Sequence, residues 1–205
     1  MTNFKFERYK LNESVYFKKN NDTFGDFSNM SSKYIILVNG NIIRTVEALY
    51  QSMKFSNTPE IQREIIMQKS PMAVKYKARK YSKLIRSDWD AIKLSVMEWC
   101  LRIKLLQNFD SFSELLLLTG SKHIVELSTN DTYWGAYLKD NEYLIGENNL
   151  GKLLMKLRDE LKLNHNQIQL QVNPLEVDNF LLFGDSIESC KIGQINKKPQ
   201  QLDLF

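Results

Sequence analysis

Few residues of this chain are suited to holding a metal or a covalent cross-link. Among 205 residues there are two cysteines, Cys100 and Cys190, and two histidines, His123 and His165. No Cys/His cluster surrounds either cysteine, so neither a zinc site nor a disulfide framework is expected. Cys100 falls in an apolar helical run and reads as a buried thiol. The histidines are isolated and receive no role. The opening Met1-Thr2-Asn3-Phe4-Lys5-Phe6 lacks the apolar stretch of a signal peptide, and no apolar run reaches transmembrane length. The expectation is a reduced, cytoplasmic protein with no membrane contact, no metal and no cofactor. Internal repeats and low-complexity tracts are also absent. The net charge of +4 admits an anionic ligand without demanding nucleic acid.

What is present suits one globular domain. A chain of this length hides roughly 70% of its unfolded surface on folding and needs no staples. Phe6, Val15, Tyr16 and Phe17 suggest short strands, followed by an Asn/Asp/Ser/Gly-rich loop over 20–32. Residues 34–43 form a hairpin signal around Asn39-Gly40, whose dipeptide supplies a type I′ turn. Thr45 is expected to cap the next helix, on which Glu47, Gln51 and Lys54 share a face. Pro59 opens a further helix, and Ser70-Pro71 reads as an N-cap followed by proline. Asp88 is expected to cap a long helix to about Gln107, with Trp89, Ile92, Val96, Trp99, Cys100 and Ile103 turned inward. A short helix over 111–118 stops at Thr119-Gly120, and 123–127 is a strand. A loop over 146–151 leads into a helix from Leu150 to about Leu161, with Leu150, Leu153, Leu154, Leu157 and Leu161 on one face. The expected class is a helix-rich α+β domain with a small sheet. A modest apolar patch marks Phe180 to Phe183, and a polar, basic linker leads to the end.

Several segments place acids or amides beside aromatic residues at turns or helix starts. In order they are Phe-Gly-Asp-Phe-Ser-Asn (24–29), Glu-x-x-Tyr-Gln-x-x-Lys-Phe (47–55), Ser-Pro-Met (70–72), Lys-x-x-x-Arg (75–79), Asp-Trp (88–89), Leu-Leu-Thr-Gly (117–120), Asn-Asp-x-Tyr-Trp-Gly (130–135) and Gly-x-Asn-x-Leu-Gly-x-Leu-Leu-Met-x-x-Arg (146–158). This ordered set resembles the NADAR superfamily of YbiA-like proteins over roughly residues 17–161. The resemblance implies a compact α+β fold and cleavage of a ribosyl C1–N bond. Activities described in the family are hydrolysis of early riboflavin-pathway intermediates and removal of ADP-ribose from the guanine amino group. Members with the second activity act as antitoxins to DarT-type toxins, which would be a further partner. Met30, Ala48 and Ala78 depart from the family pattern, implying an altered pocket width and base choice. The implied organisation is a catalytic domain over 1–162, a small C-terminal addition over 163–190 and a flexible tail over 191–205.

Cleaving such a bond requires a proton for the leaving nitrogen and stabilisation of cationic character at C1, work for carboxyl groups near the anomeric carbon. Glu47 and Asp131 are the candidates. Their alternative uses are a solvated first-turn acid and a turn cap. Lys54 either attacks C1 or orients it, since an amine in a semi-apolar site loses its proton more readily. Trp134 and Phe27 are expected to stack on or enclose the base. Ser28, Asn29, Gln51 and Asn148 would bond ribose or the base edge. Asn29 and Asn148 would equally serve turns. Gly146 and Gly151 would let backbone N–H groups approach a pyrophosphate ahead of the helix at 150, and Gly135 would border the substrate beside Trp134. Lys75 and Arg79, one turn apart, would clamp phosphates.

The end of the chain carries a separate signal. Gln201-Leu202-Asp203-Leu204-Phe205 resembles the peptide by which bacterial replication and repair proteins dock on the DNA sliding clamp. Leu204 and Phe205 would fill a pocket, and Gln201 would bond its rim. Recruitment to replication suits an enzyme acting on ADP-ribosylated guanine in nucleic acid.

Overall fold

The structure, a computed structural model, describes residues 6–163 and 171–192. In chain order the elements begin with β1 (Glu7–Lys10), β2 (Ser14–Phe17), β3 (Ile36–Val38), β4 (Asn41–Ile43), α1 (Val46–Ser52), α2 (Pro59–Ile66) and α3 (Pro71–Lys80). There follow α4 (Trp89–Gln107), α5 (Phe109–Leu118), β5 (His123–Glu126), β6 (Tyr137–Lys139), β7 (Tyr143–Gly146) and α6 (Asn149–Leu163). Four two-residue strands close the described chain: β8 (Gln171–Val172), β9 (Leu181–Leu182), β10 (Asp185–Ser186) and β11 (Cys190–Lys191). The described residues within 1–31 and 110–167 form one compact unit, and those within 32–109 and 168–205 form another.

In the first unit β7 lies between β1 and β6 in an antiparallel sheet, while β2 pairs with β5 in parallel. Tyr9, Val125, Ala136 and Leu144 form a buried cluster, with Leu11 and Leu127 packed against it. The leucines Leu150, Leu153, Leu154, Leu157 and Leu161 are buried along α6 as their spacing requires, and α6 packs against β5. Arg158 ends the Gly-x-Asn-x-Leu-Gly run that begins at Gly146. Its guanidinium donates to the Lys122 carbonyl at 2.6 Å and to Thr119 Oγ1 at 3.1 Å, fastening α6 to the turn after α5. The β6–β7 hairpin was not expected. Its turn uses Asp140 and Asn141, both at positive φ, and lacks the glycine that usually signals such a turn.

In the second unit the β3–β4 hairpin turns at Asn39 (φ 48°) and Gly40 (φ 75°), as the Asn-Gly dipeptide predicts. Thr45 and Ser70 cap α1 and α3, accepting from the N–H groups of Ala48 (3.1 Å) and Ala73 (3.2 Å). Asp88 differs from expectation. Its carboxylate takes the Arg86 guanidinium at 2.6 Å and makes no cap bond to α4. A two-pronged ion pair outcompetes a single neutral N–H for an acceptor. The Gln107 amide bonds both the N–H and the C=O of Leu37, at 2.7 and 2.8 Å, and so holds β3 to the end of α4. Residues 171–192 are built into this unit. Phe180 packs edge-on against Trp99, Gln62 bonds Leu181 and Phe183, and Arg86 donates to the carbonyls of Asp178 and Asn179. No helix among the described residues is long and apolar enough to cross a membrane.

Candidate active site

The second unit contains the charged part of the predicted site. Because Thr45 caps α1, Glu47 falls in its first turn, and every residue of α1 is buried. Glu47 itself is only 4% exposed. A carboxylate removed from water needs partners. Its Oε1 accepts from Gln51 Nε2 at 2.8 Å, one turn along the same face, and lies 3.8 Å from Lys75 Nζ on α3. Glu47, Gln51 and Lys75 therefore meet.

Lys54 lies in the 3-10 turn Met53–Phe55 that continues α1. Its Nζ is 5.7 Å from the centre of the Tyr50 ring and 5.5 Å from that of Trp89, and the two rings are 5.1 Å apart. Burial pushes the Lys54 amine below the ordinary lysine range. Glu47 opposes that shift, while Lys75, Arg79 and Lys93 reinforce it. Arg79 is exposed on α3. One carboxylate thus sits among several cations, one of them the desolvated amine of Lys54. Such a cluster attracts phosphate and makes its lysine easier to deprotonate than a solvated one. Trp89 is buried, as its helical spacing predicts, and so is Tyr50, to which the sequence assigns no role. Both rings border Lys54. The available signal was that Tyr50 lies inside the Glu-x-x-Tyr-Gln run and Trp89 inside Asp-Trp.

The first unit contains the other predicted residues, and most of them serve its backbone. Asp131 is exposed and heads a turn. Its Oδ1 accepts from the Trp134 N–H at 3.0 Å, its carbonyl accepts from Gly135, and its N–H donates to Ser128 Oγ. Its other oxygen makes no hydrogen bond among the described residues. Trp134 is half-buried, with its ring perpendicular to Tyr133 at 4.9 Å. The carbonyls of Thr132, Tyr133, Trp134 and Gly135 accept from the N–H groups of Glu147, Asn149, Leu150 and Asn148, respectively. Those are the N–H groups expected to approach a pyrophosphate, and the turn has already taken them. Gly135 and Gly146 are needed for close packing of the same segment. A Cβ on Gly146 would collide with the Gly135 carbonyl, and one on Gly135 with that of Glu126.

Asn148 is fully buried at φ 50°. Its Oδ1 accepts from the Glu126 N–H at 3.2 Å and its Nδ2 donates to the Ile124 carbonyl at 2.8 Å. The amide expected to bond a ribose completes the hydrogen bonding of β5 instead, because buried strand groups without a partner are costly. Phe27 also differs from expectation. It has no exposed surface, and its ring packs with Phe24, Phe17 and Phe112 at 5.8–6.1 Å between centroids. Ser28 Oγ accepts from the Met30 N–H at 3.1 Å, and Asn29 is buried beside it. No group of His, Cys, Asp and Glu suited to a metal occurs among the described residues. The tail from Gln201 to Phe205 lies outside them.

Comparison with known proteins agrees with this architecture. N-glycosidase YbiA of Escherichia coli is 37% identical over 147 residues, which are 72% of this chain and 88% of that protein. A chloroplastic riboflavin biosynthesis protein of Zea mays, PYRR, is 33% identical over 160 residues, 72% of this chain but 25% of its own length. The NMR structure of the Escherichia coli protein YbiA matches with a TM-score of 0.63 and 34% identity, covering 76% of this chain and 88% of that one. The helix-rich α+β class expected from the sequence is the class of that fold. The family model of the NADAR domain matches residues 15–162, and the chain belongs to the NADAR family.

Proposed function

We propose that this chain hydrolyses the N-glycosidic bond between ADP-ribose and guanine in nucleic acid. That it is an enzyme of the glycosidase kind follows from its family and its relationship to N-glycosidase YbiA; the choice of substrate is our reading. The observation supporting it is the cluster of Glu47, Lys54, Lys75 and Arg79, which joins a buried acid and an amine of lowered pKa to cations suited to phosphate. In this reading the neutral Lys54 amine attacks C1 of the ribose. The C1–N bond to guanine breaks, and its electron pair leaves with the nitrogen, which takes the proton that the attacking amine sheds, relayed by a carboxylate. The lysine adduct then opens the sugar ring to an imine. Water adds at C1, releasing ADP-ribose and returning the amine. Glu47 is the proton-handling group beside Lys54. Asp131 is read as a second one, through its unbonded oxygen. Lys75 and Arg79 take the phosphates, while Gln51, Asn29 and Trp134 position ribose and base.

The tail favours nucleic acid over a free metabolite. We read Gln201, Leu202, Asp203, Leu204 and Phe205 as a clamp-docking peptide that raises the effective concentration of the enzyme at its substrate. Deletion of residues 201–205 is expected to abolish co-elution with the sliding clamp and to leave hydrolysis by the isolated enzyme unchanged. Unchanged clamp binding would refute that role. A DarT-type toxin is the partner implied if the chain acts as an antitoxin.

A second reading has one specific observation in its favour, the maize relative's name as a riboflavin biosynthesis protein. It makes the chain an N-glycosidase of phosphorylated riboflavin precursors. Incubation with an ADP-ribosylated guanine oligonucleotide and, in parallel, with a ribosylaminopyrimidine phosphate decides between them. Release of free ADP-ribose from the oligonucleotide is the expected result. Consumption of the pyrimidine substrate alone would overturn the nucleic-acid reading. Binding of ADP-ribose with neither reaction would reduce the chain to a binding module.

A further inference from the structure

One side of α3 is occupied and the other is open. Val74 and Ala78 are buried, Lys75 reaches Glu47, and Lys77 pairs with Glu64 at 3.1 Å. On the exposed side Met72 and Tyr76 follow one another at i and i+4; Arg79, one turn from Lys75, borders this side, and Lys83 lies in the turn beyond the helix. Met72 is 68% exposed and Tyr76 75% exposed. Lys69, Arg79, Lys80 and Lys83 are exposed and make no ion pair among the described residues. The closest engagement of Lys80 is with the Tyr81 ring, 5.9 Å away. From Lys69 to Lys83 the sequence holds six cations and no acid.

Met72 and Tyr76 are exposed among these cations on one helix face. A face that binds a nucleic-acid strand needs both kinds of group. The flat ring stacks on a base, and the cations displace counterions from phosphates. A base within a duplex has no free face to offer, so the exposed ring selects single-stranded substrate. We propose that the outer face of α3 docks a single-stranded stretch of the nucleic acid that flanks the modified guanine. Tyr76 stacks on a base, Met72 lies along it, and Lys69, Lys80 and Lys83 take the backbone. The inner edge of the same helix carries Lys75 to Glu47, so strand docking and the charged cluster share one rigid element. The proposal rests on the ADP-ribosyl-guanine reading for the identity of the strand.

The test uses the full chain, Tyr76→Ala and the double variant Lys80→Ala/Lys83→Ala. Binding of an unmodified single-stranded DNA oligonucleotide is followed by fluorescence anisotropy across a salt series. Release of ADP-ribose is then measured from a modified oligonucleotide and from free ADP-ribosylated guanosine. Tyr76→Ala is expected to weaken strand binding roughly tenfold. The double variant should flatten the plot of log affinity against log salt by about 1.4, or ~0.7 for each charge lost. Both should raise KM for the oligonucleotide and leave turnover of the free nucleoside as in the parent. Absence of strand binding by the parent, or parent-like binding and KM in both variants, would overturn the proposal, including in favour of a protein partner on this face. Strand binding through α3 without ADP-ribose release would refute the substrate reading alone. Release with unchanged KM in the variants would refute the docking face alone.

Discussion

The predicted residues of the two units are similar in type and differ in use. In the second unit Glu47, Gln51 and Lys75 lie on helices and their side chains meet one another, while Lys54 lies beside the Tyr50 and Trp89 rings. In the first unit Asp131, Gly135, Gly146 and Asn148 lie at turns and strand ends, where backbone groups lack partners. There the Asp131 and Asn148 side chains complete the backbone, and the two glycines let its segments pack closely. Leaving a buried N–H or C=O unpaired costs about 1–3 kcal/mol, so a nearby amide is drawn into the scaffold first. Helix-borne charges face no such demand and remain available to a ligand.

This contrast predicts two kinds of loss. In the second unit, Glu47→Gln and Lys54→Met should each lower kcat by roughly 10²–10⁴-fold, with a melting temperature close to the parent's. Lys54→Met should be no less stable than the parent, because it removes a desolvated charge. Assay of ADP-ribose release alongside thermal melting would reveal the opposite pattern, a fall in Tm with kcat intact. In the first unit, Asn148→Ala should orphan the Glu126 N–H and the Ile124 carbonyl. The expected cost is about 3 kcal/mol, or a Tm lower by roughly 6–12 °C for a chain of this size. Activity per folded molecule should be retained. A lost rate with unchanged Tm would instead return Asn148 to the ligand.

Asp131 stands between the two classes, and two substitutions separate its uses. Asparagine caps a turn about as well as aspartate, so Asp131→Asn should keep the parent's Tm. If the unbonded oxygen handles a proton, kcat should nevertheless fall roughly 10²-fold. Asp131→Ala should lose that rate and about 1 kcal/mol of stability besides. Parent-like turnover by the asparagine variant would confine Asp131 to its turn.

The smallest expected effect is a pH dependence. Burial holds the Lys54 amine below the ordinary lysine range in the folded chain, so the unfolded chain binds that proton more tightly. Stability should therefore rise with pH between the depressed folded value and the ordinary lysine value, and Lys54→Met should remove that slope. The acid limb of kcat should likewise have its midpoint below the range of a solvated lysine. Denaturant titrations and rate profiles across alkaline pH would show both. A limb at the ordinary lysine position would contradict a desolvated nucleophile.

How much of this was legible in the sequence follows the same division. The caps at Thr45 and Ser70, the turn at Asn39-Gly40 and the leucine face of α6 depend on nearest neighbours, and their residue types announce them. The shared face of Glu47 and Gln51 is helical geometry, likewise readable. The arrival of Lys75 at Glu47, of Trp89 at Lys54 and of Asn148 at β5 depends on packing between distant segments, which residue spacing does not encode. Phe27 illustrates the same limit. An aromatic residue in a polar loop suits a binding pocket, but the neighbouring Phe17, Phe24 and Phe112 claim it for the core. The Asp88 cap failed because Arg86, two residues earlier, is a stronger partner.

The most direct test of the central claim is borohydride trapping during turnover of an ADP-ribosylated guanine oligonucleotide, followed by peptide mass mapping. A neutral Lys54 amine attacking C1 predicts one reduced ADP-ribosyl adduct on Lys54, absent from Lys54→Met. Steady release of ADP-ribose with no trapped lysine, or an adduct mapped to another residue, would contradict it.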